Sequence, residues 1–505
     1  MTVYDLADAV TADPGAPRSR ILSPFDQEPV GEVPLTGSAA LDRAFTTASA
    51  AQKAWETTSL RDRARILERF AGLLIDHRDD LLDLIGLETG KNRASAMEEF
   101  ADTVLWTHHV ARRGPALLRE RRRPGAFPVL TRTVERHLPK GVVGVITPWN
   151  YPLTLPIGDA VPALMAGNAV ILKPDSQTPL TAAAALSLLR EAGLPTELMQ
   201  IAVGPGRRIG APIVERSDFL MFTGSTATGR ELAARCAERL IGFSAELGGK
   251  NPLLVLADAD LSRAVPGAVH ACFANSGQLC ISMERIYVHE SVWEPFVTRF
   301  VARTRALRLA AGTGWDADMG SLAGAGQLRK AVEAVDDARA KGATVLAGGR
   351  PRPDLGPYFY EPTVLSNVVP GMRVHDEETF GPVVSLYRAA SDEEAVDAAD
   401  DSEYGLNASV WSRRRGGWAA RRLHSGTVNI NEGYGAAWAS HDAPMGGFKA
   451  SGLGRRHGDE GILKYTEAQT VAAQRLIPIA GPAALGHRAW AGLLTGGVRA
   501  LRRFR

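Results

Sequence analysis

Between Gly141 and Leu240 the sequence repeats one unit, in which an apolar run is followed by a turn and then by a helical pattern. Short, fully apolar runs that alternate with helices are typical of strands buried on both faces of a parallel sheet. The runs are Gly141–Thr147, Ala169–Pro174, Met199–Val203 and Phe219–Thr223. Ligands of such sheets bind at the carboxyl ends of the strands. Those ends are Trp149-Asn150, Lys173, Gly204 and Gly224-Ser225.

A second alternating region extends from Asn251 to about Asn431, and a helical region precedes both. The second region has strand-like runs at Pro252–Leu256, Ile286–His289, Tyr360–Val364, Val383–Arg388 and Ala408–Trp411. The three-to-four-residue spacing of apolar side chains predicts helices at Ala39–Thr57, Leu60–Glu88 and Asn92–Leu118. We therefore expect an α/β protein with two doubly wound parallel-sheet domains.

The overall composition narrows the class of protein. The chain of 505 residues has a net charge of +2, which gives no reason to expect a nucleic-acid partner. Three cysteines are too few for a disulfide framework and favour a reducing compartment. We find neither a signal peptide at the N-terminus nor a run of the roughly 20 apolar residues that a membrane span needs. The sequence thus predicts a cytoplasmic protein without an integral membrane segment.

An acid and a thiol flank a predicted strand and helix in the segment Phe243–Ile281. Glu246 precedes a glycine pair, and Cys280 ends the run Ser276–Cys280. A strand followed by a helix can fold the chain back on itself, so the two side chains could face one site. A thiol nucleophile beside a carboxylate base suits covalent catalysis followed by hydrolysis. Cys236 and Cys272 lie in apolar helical patterns and are interpreted as core residues.

Three short segments could bind a nucleotide cofactor, although each has an alternative interpretation. The run Phe222–Gly229 joins a strand to a helix, where free N–H groups attract phosphate, but Ser225 could simply cap the helix. Lys173 could bind ribose hydroxyls or stabilise a turn. The acid in Glu377–Pro382 could bind a second ribose or remain solvated.

Taken together, these segments resemble the aldehyde dehydrogenase family from about residue 20 to 475. The segments that carry the resemblance are Pro148-Trp149-Asn150, Lys173-Pro174, Phe222–Ser225, Glu246–Lys250, Gly277–Cys280 and Glu378–Pro382. Their order and spacing are specific to the family as a set. The resemblance implies an NAD(P)-dependent oxidation of an aldehyde to its carboxylic acid.

The resemblance also implies a role for each matching residue. Cys280 would be the nucleophile, Glu246 the hydrolytic base and Asn150 the oxyanion donor. Cofactor-lining roles fall on Trp149, Asn150, Lys173, Ser176, Gly224, Ser225, Leu247, Glu378 and Phe380. Members that prefer NAD often have an acid at the position of Ser176, which would repel a 2′-phosphate. The hydroxyl of Ser176 therefore predicts NADP, with NAD possible, and no metal site is predicted.

The family fold further implies a division of the chain into parts. Residues 1–120 and 140–246 would form the cofactor-binding domain, and residues 247–459 the catalytic domain. An oligomerisation β-arm would comprise residues 121–139 and 460–475, with strands at Val129–Pro139 and Ile462–Ala473. Such an arm predicts a homodimer or homotetramer. Residues 476–505 would be a basic tail, whose amphipathic pattern suits a packed surface helix or, alternatively, membrane-surface attachment.

The amino-acid sequence of several segments resembles that of bacterial NADP-dependent succinate-semialdehyde dehydrogenases most closely. Better-known members of that branch bind the distal carboxylate with arginines at the positions of Gly158 and Ala274. Without those charges the tunnel should be wider, with Tyr151, Leu155, Tyr434, Trp438 and Met445 as candidate walls. Arg285 or His441 could supply a replacement charge. Succinate semialdehyde is the expected substrate, and a broad or apolar range of aldehydes is the alternative. A CoA-acylating or non-catalytic homologue is disfavoured, because Cys280 and Glu246 are both present.

Overall fold

The computed structural model describes residues 3–127 and 130–502. Its helices are α1 (Ser38–Thr57), α2 (Leu60–Asp76), α3 (Arg78–Thr89), α4 (Arg93–Leu118), α5 (Thr154–Met165), α6 (Pro179–Glu191), α7 (Gly206–Arg216), α8 (Thr226–Glu238), α9 (Leu261–Phe273), α10 (Trp293–Arg305), α11 (Ala325–Ala340), α12 (Arg373–Asp376), α13 (Asp392–Asp400), α14 (Gly416–Ala420), α15 (Gly435–Trp438), α16 (Gly458–Leu463) and α17 (His487–Leu501). None of the described helices is long and apolar enough to cross a membrane.

The strands form two large sheets and three small ones. They are β1 (Arg18–Leu22), β2 (Pro29–Pro34), β3 (Arg121–Arg123), β4 (Thr131–Pro139), β5 (Val142–Ile146), β6 (Ala169–Lys173), β7 (Met199–Ile201), β8 (Phe219–Thr223), β9 (Gly242–Glu246), β10 (Asn251–Val255), β11 (Met283–His289), β12 (Thr344–Ala347), β13 (Thr363–Ser366), β14 (Val383–Ala389), β15 (Tyr404–Gly405), β16 (Asn407–Trp411), β17 (Thr427–Ile430), β18 (Phe448–Lys449), β19 (Gly452–Leu453) and β20 (Thr466–Gln474).

The first large sheet contains the four apolar runs that open the sequence analysis. Its order is β19-β9-β8-β5-β6-β7, and the five strands from β9 to β7 are parallel. Every residue of β5, β6 and β8 is buried, which explains why these strands read as continuous apolar runs. The short strand β19 pairs antiparallel with β9, so that Gly452 lies opposite Glu246. A loop from late in the chain thus covers the edge strand that carries the predicted base.

The second large sheet has the order β12-β13-β14-β11-β10-β16-β17. All of its neighbouring strands are parallel except β12 and β13. The prediction of an α/β protein built on two parallel sheets is confirmed, with an antiparallel edge strand added to each. The strand and the helix predicted within Phe243–Ile281 are both present, as β10 and α9.

Several predicted boundaries were wrong for local reasons. The single helix expected at Leu60–Glu88 is two helices, because the backbone of His77 leaves helical geometry (φ −103°, ψ 22°) and its N–H closes the end of α2. The strand expected at Tyr360–Val364 begins only at Thr363, since Tyr360 makes an isolated bridge to Pro351. An arginine run follows the end of α4, and its part Arg121–Arg123 pairs with β4 as a short strand.

The third sheet is the predicted arm, in the order β20-β4-β3. Thr466–Gln474 pairs with Thr131–Pro139 along its whole length. The returning strand therefore starts four residues later than predicted, and Ile462 is instead a fully buried residue of α16. The predicted start of the arm at Val129 lies outside the described residues.

Candidate active site

The predicted site residues come from the carboxyl ends of strands in both large sheets. Trp149 and Asn150 follow β5, Lys173 ends β6, and Gly224-Ser225 follow β8. One cavity is lined by the predicted residues Trp149, Asn150, Gly224, Ser225, Glu246, Leu247, Cys280, Glu378 and Phe380. The other two predicted residues, Lys173 and Ser176, line an adjoining cavity of about 510 Å³ that shares Trp149, Gly224 and Ser225. The structure therefore brings every predicted site residue to one continuous cleft.

A tight loop between α9 and β11 presents Cys280. Asn275, Ser276 and Gly277 all have left-handed backbone angles, with φ of 49°, 55° and 70°. A side chain at Gly277 would lie 2.2 Å from the carbonyl oxygen of Gly381, so this position requires glycine. Asn251 Nδ2 donates a 2.7 Å hydrogen bond to the carbonyl oxygen of Cys280. The loop is thus fixed on both sides of the thiol, which remains partly exposed.

The Cys280 side chain is held as a thiol in the protein alone. Burial, followed by the carboxylates of Glu246 and Glu378, raises the pKa of Cys280 from 9.0 to about 12. Arg456 opposes this shift without cancelling it. The proton must therefore leave the sulfur as the site is loaded or as the nucleophile attacks.

Glu246 ends β9 with its carboxylate buried. Burial raises the pKa of Glu246 from 4.5 to about 7, while the nearby cations Arg456 and Lys464 oppose the shift. Its Oε1 atom has no hydrogen-bond partner among the described residues. A carboxylate with a pKa near neutrality and a free oxygen is suited to taking a proton from water.

A buried ion-pair group beside Glu246 was missed by the sequence analysis. Arg456 Nη2 lies 2.5 Å from Asp159 Oδ2 and donates to Thr223 Oγ1 at 3.1 Å. Lys464 Nζ lies 3.9 Å from Asp159 Oδ1. Asp159 stands in an apolar helix pattern, and its partners lie far along the chain, so no periodicity could have shown the group. These three charges set the electrostatic surroundings of the base.

Asn150 is oriented for hydrogen bonding by the nucleophile loop. Its Nδ2 atom donates to the carbonyl oxygen of Gln278 at 3.0 Å. An amide nitrogen carries two hydrogens, so the second remains for an oxygen formed next to Cys280. Asn275 Nδ2 donates to the same carbonyl at 3.0 Å and supports this arrangement.

The loop that carries Glu378 and Phe380 is held by the second sheet. Glu284 accepts hydrogen bonds from the backbone N–H groups of Thr379 and Phe380 and is paired with Lys250 Nζ at 2.5 Å. Glu378 Oε1 accepts from the backbone N–H of Gly249 at 2.8 Å. A side chain at Gly248 would lie 2.6 Å from Glu378 Oε2, so a glycine is needed for this approach.

The adjoining cavity has the features that a dinucleotide requires. The N-terminus of α8 opens into it, with Ser225 Oγ accepting from the Thr228 N–H as a cap. Such a terminus favours phosphate. Lys173, Ser176 and Arg207 lie together in its wall, and the Arg207 side chain was not predicted. Two cations beside a small hydroxyl fit a phosphate on the adenosine ribose, and Glu231 in the same wall is paired with Arg235.

Cys280 packs against an apolar cluster. Tyr151, Leu155, Tyr434, Trp438 and Met445, the predicted walls, pack in one cluster with the Cys280 side chain. Ala274 belongs to the same cluster, whereas the space beside Gly158 is filled by Trp106, whose Nε1 donates to the Gly158 carbonyl at 2.8 Å. The tunnel is therefore not widened at Gly158.

Neither candidate for a replacement charge faces this cluster. The Arg285 guanidinium donates to the carbonyl oxygens of Lys250 and Ala399 and lines a separate cavity. His441 Nε2 lies 3.0 Å from Asp102 Oδ1 in a different buried group. A polar atom of this wall, Tyr434 Oη, donates to Glu98 Oε2 at 2.8 Å.

Comparisons with known proteins agree with this geometry. The model of the "Aldehyde dehydrogenase family" matches residues 11–471. A protein of Mycolicibacterium smegmatis named "Putative succinate-semialdehyde dehydrogenase, NADP(+)" is 52% identical over 473 residues, covering 93% of this chain and 92% of the relative. A crystal structure described as an E. coli NADP-dependent enzyme is 34% identical with a TM-score of 0.88, covering 92% of this chain and 96% of that one. The betaine aldehyde dehydrogenase of Staphylococcus aureus, solved with NAD+, is 31% identical with a TM-score of 0.87, covering 92% and 93%.

Proposed function

The chain belongs to the aldehyde dehydrogenase family, and we propose that it oxidises succinate semialdehyde to succinate with NADP as the preferred cofactor. The observation that carries the chemistry is the meeting of Cys280, Glu246 and Asn150 in one cavity that opens into a phosphate-binding cleft. A nucleophile, a base and an oxyanion donor are the set that this reaction requires.

Cys280 begins the proposed reaction. The Cys280 thiol gives its proton to the Glu246 carboxylate, which returns it to solvent, and the sulfur forms a bond to the aldehyde carbon as the carbonyl electron pair moves to oxygen. The free N–H of Asn150 and the backbone N–H of Cys280 stabilise that oxyanion. Residues of the cleft such as Lys173, Ser176 and Phe380 would hold NADP, which would supply the acceptor for a hydride from this carbon. The product on the protein is a thioester of Cys280.

Glu246 completes the proposed cycle. Its carboxylate takes a proton from water, and the hydroxide adds to the thioester carbon and displaces the sulfur. The carboxylic acid leaves, and Cys280 is restored. A CoA-acylating enzyme would pass the acyl group to CoA and would not need a base at Glu246. We therefore expect that added CoA does not accelerate turnover.

NADP preference rests on the composition of the ribose end of the cleft. Ser176 stands where an acid would repel a 2′-phosphate, and Lys173 and Arg207 supply positive charge there. We expect kcat/KM to be higher with NADP than with NAD. Ser176→Glu should reverse the preference, and Ser187→Glu on α6, whose hydroxyl bonds only within its own helix, should not. A strong NAD preference in the unmodified protein would refute this assignment.

The assignment of succinate semialdehyde rests on the name of the 52% identical relative. A specific observation favours a second candidate, because the cluster around Cys280 is aromatic and aliphatic and neither Arg285 nor His441 reaches it. That candidate is a broad range of apolar aldehydes. The two are separated by kcat/KM for succinate semialdehyde and for butanal, which has the same number of carbons without the carboxylate. Succinate semialdehyde should be the better substrate by tenfold or more (about 1.4 kcal/mol), and equal or better use of butanal would establish the alternative.

We also propose that the chain works as a homodimer or homotetramer in the cytoplasm. All eight residues of β20 after Thr466 are exposed. The strand lies at the edge of its sheet and pairs with β4 on one side only. An exposed edge of this length suits pairing with another subunit. Light scattering after gel filtration should give a mass of two or four chains, and a monomer would contradict the proposed arm.

We propose that the chain divides into a cofactor domain (1–120 and 140–246), an arm (121–139 and 460–475) and a catalytic domain (247–459). Limited proteolysis tests this division, and the first cut should fall in the tail at residues 476–486.

A further inference from the structure

A buried cluster of histidines and one aspartate lies beside α4, outside the cleft of the proposed reaction. Its members are Asp102, His441 and His457, each of which offers one ligand atom, and these atoms lie within 4.8 Å of one another. We propose that Asp102, His441 and His457 form a structural site for one Zn²⁺ ion. The proposal does not depend on the substrate or on the activity.

One ligand distance already suits coordination, and the third ligand would close in by rotation of its side chain. Asp102 Oδ1 and His441 Nε2 are 3.0 Å apart. Around a tetrahedral zinc ion with Zn–N and Zn–O bonds near 2.0 Å, ligand atoms stand roughly 3.3 Å apart. The His441 and His457 rings meet at 82° with centroids 4.9 Å apart, so their nitrogens can converge on one point. A water molecule would complete the fourth position.

The cluster contains unsatisfied nitrogen in a buried place. His457 is 1% exposed, and its Nδ1 has no hydrogen-bond partner among the described residues. The Nε2 of His109, whose ring stacks on Trp106, is also buried without a described partner. Buried polar atoms are nearly always satisfied, so an orphan in a histidine cluster points to a missing ligand.

The backbone of His457 supports a specific use of its side chain. Its angles, φ 54° and ψ 176°, lie in a region that is almost restricted to glycine. A histidine in this region is strained, so contacts of its imidazole ring must hold it in place. The backbone N–H of Gly458 donates to the His441 carbonyl at 2.8 Å and keeps the two ligand-bearing segments together.

A hydrogen bond from outside the cluster orients the Asp102 carboxylate. Asp102 Oδ2 accepts a hydrogen bond from Thr154 Oγ1, while Asp102 Oδ1 faces His441 Nε2, and both of those atoms would exchange this contact for the ion. Hydrogen-bonded carboxylates of this kind are usual around metal sites and fix the orientation of the ligand. Two imidazoles and one carboxylate favour Zn²⁺ over Mg²⁺ or Ca²⁺, which prefer oxygen ligands only.

The position of the cluster indicates what the ion would do. His441 and His457 lie at the two ends of a segment that contains Met445 of the tunnel wall and Arg456 beside Glu246. An ion bound to both histidines and to Asp102 of α4 would close this segment and fix it to the helix. The role is positional, since none of the three residues lines the cavity of Cys280.

The test measures metal binding directly in the full-length protein. Metal-free protein with Cys280→Ser, which removes the accessible thiol as a competing ligand, is titrated with Zn²⁺ against a chromophoric chelator. We expect one equivalent of tight binding, a higher Tm with Zn²⁺, and, with Co²⁺ as the probe, the visible absorption of a four-coordinate site. The absence of a tight equivalent would overturn the proposal.

Two variants and a control locate the site. His457→Gly removes the ring and suits the local backbone, and His441→Gln keeps a polar side chain. Each should weaken Zn²⁺ binding by roughly 100-fold or more, beyond the 10–100-fold typical of losing an outer contact. His424→Ala, an exposed histidine paired with Asp400, should leave binding unchanged. Because the measurement compares affinity in folded protein, checked by circular dichroism, retained tight binding in both variants would refute the site.

Discussion

Replacing Asp159 by asparagine should lower the pH at which the enzyme becomes active. Glu246 must be ionised to act as a base, so its pKa of about 7 predicts a rise in kcat centred near that pH. The shift from 4.5 to about 7 corresponds to about 3 kcal/mol in favour of the protonated form. The Asp159 carboxylate contributes to that shift, because its negative charge disfavours a second charge on Glu246.

The expected size follows from Coulomb's law. At an effective dielectric constant of about 20, the loss of one nearby unit charge changes a pKa by on the order of one unit. Asparagine keeps the shape of the side chain and an oxygen that can accept from Arg456. The Arg456 charge, released from its partner, would then stabilise the Glu246 carboxylate further. Both effects act in the same direction, and the rise should move below pH 7 by on the order of one unit.

The assay is kcat against pH with saturating aldehyde and NADP in buffers of constant ionic strength. Arg456→Met should move the rise in the opposite direction, since it removes a cation that lowers the pKa of Glu246. Asp392→Asn is the matched control, because Asp392 is also buried and paired with an arginine, Arg415 at 2.6 Å, but does not line the cleft. A rise that stays near pH 7 in Asp159→Asn, or that moves upward, would refute the assigned role of Asp159.

Three further outcomes follow from the geometry. Asn150→Ala should lower kcat by roughly 10²–10³-fold with a small change in KM, because one oxyanion donor is lost. A higher KM with an unchanged kcat would contradict this role. Glu378→Gln should accelerate alkylation of Cys280 by iodoacetamide at pH 8 in cofactor-free protein, because the Glu378 carboxylate raises the pKa of the thiol; mass spectrometry of the peptide measures the rate, and slower alkylation would oppose the assignment. Arg207→Ala should lower kcat/KM with NADP and leave kcat/KM with NAD nearly unchanged, whereas an equal loss with both cofactors would exclude a contact with the 2′-phosphate.

Much of the fold could be predicted from local pattern. Strand β8 was found at its observed bounds, because burial on both faces leaves an unbroken apolar run, and helix α9 formed where apolar residues recur at three- to four-residue spacing. Edge elements were harder. Strands β12 and β19 are short, pair antiparallel and carry no strong pattern, so their place depends on contacts distant in the sequence. The break at His77 depends on backbone geometry that apolar spacing does not encode.

In the candidate site, too, local sequence predicted some residues and missed those that depend on long-range pairing. Cys280, Glu246 and Asn150 lie in short segments whose residue types suit the chemistry, and the structure brings them to one cavity. Asp159 and Arg456 are separated by 297 positions, and Arg207 is one of many exposed arginines, so nothing local distinguishes them. Charge on its own was also a poor guide, since Arg285 satisfies backbone carbonyls and His441 binds Asp102. Pairing across the fold decides which charges are available to a ligand.

The central claim is that Cys280 forms a thioester which Glu246 clears. It is tested most directly by mixing the Glu246→Gln variant with succinate semialdehyde and NADP and recording the intact mass of the protein together with NADPH absorbance. We predict a burst of one NADPH per active chain and a succinyl adduct that peptide mapping places on Cys280. Steady turnover of the variant at the unmodified rate, or an adduct on another residue, would contradict the mechanism.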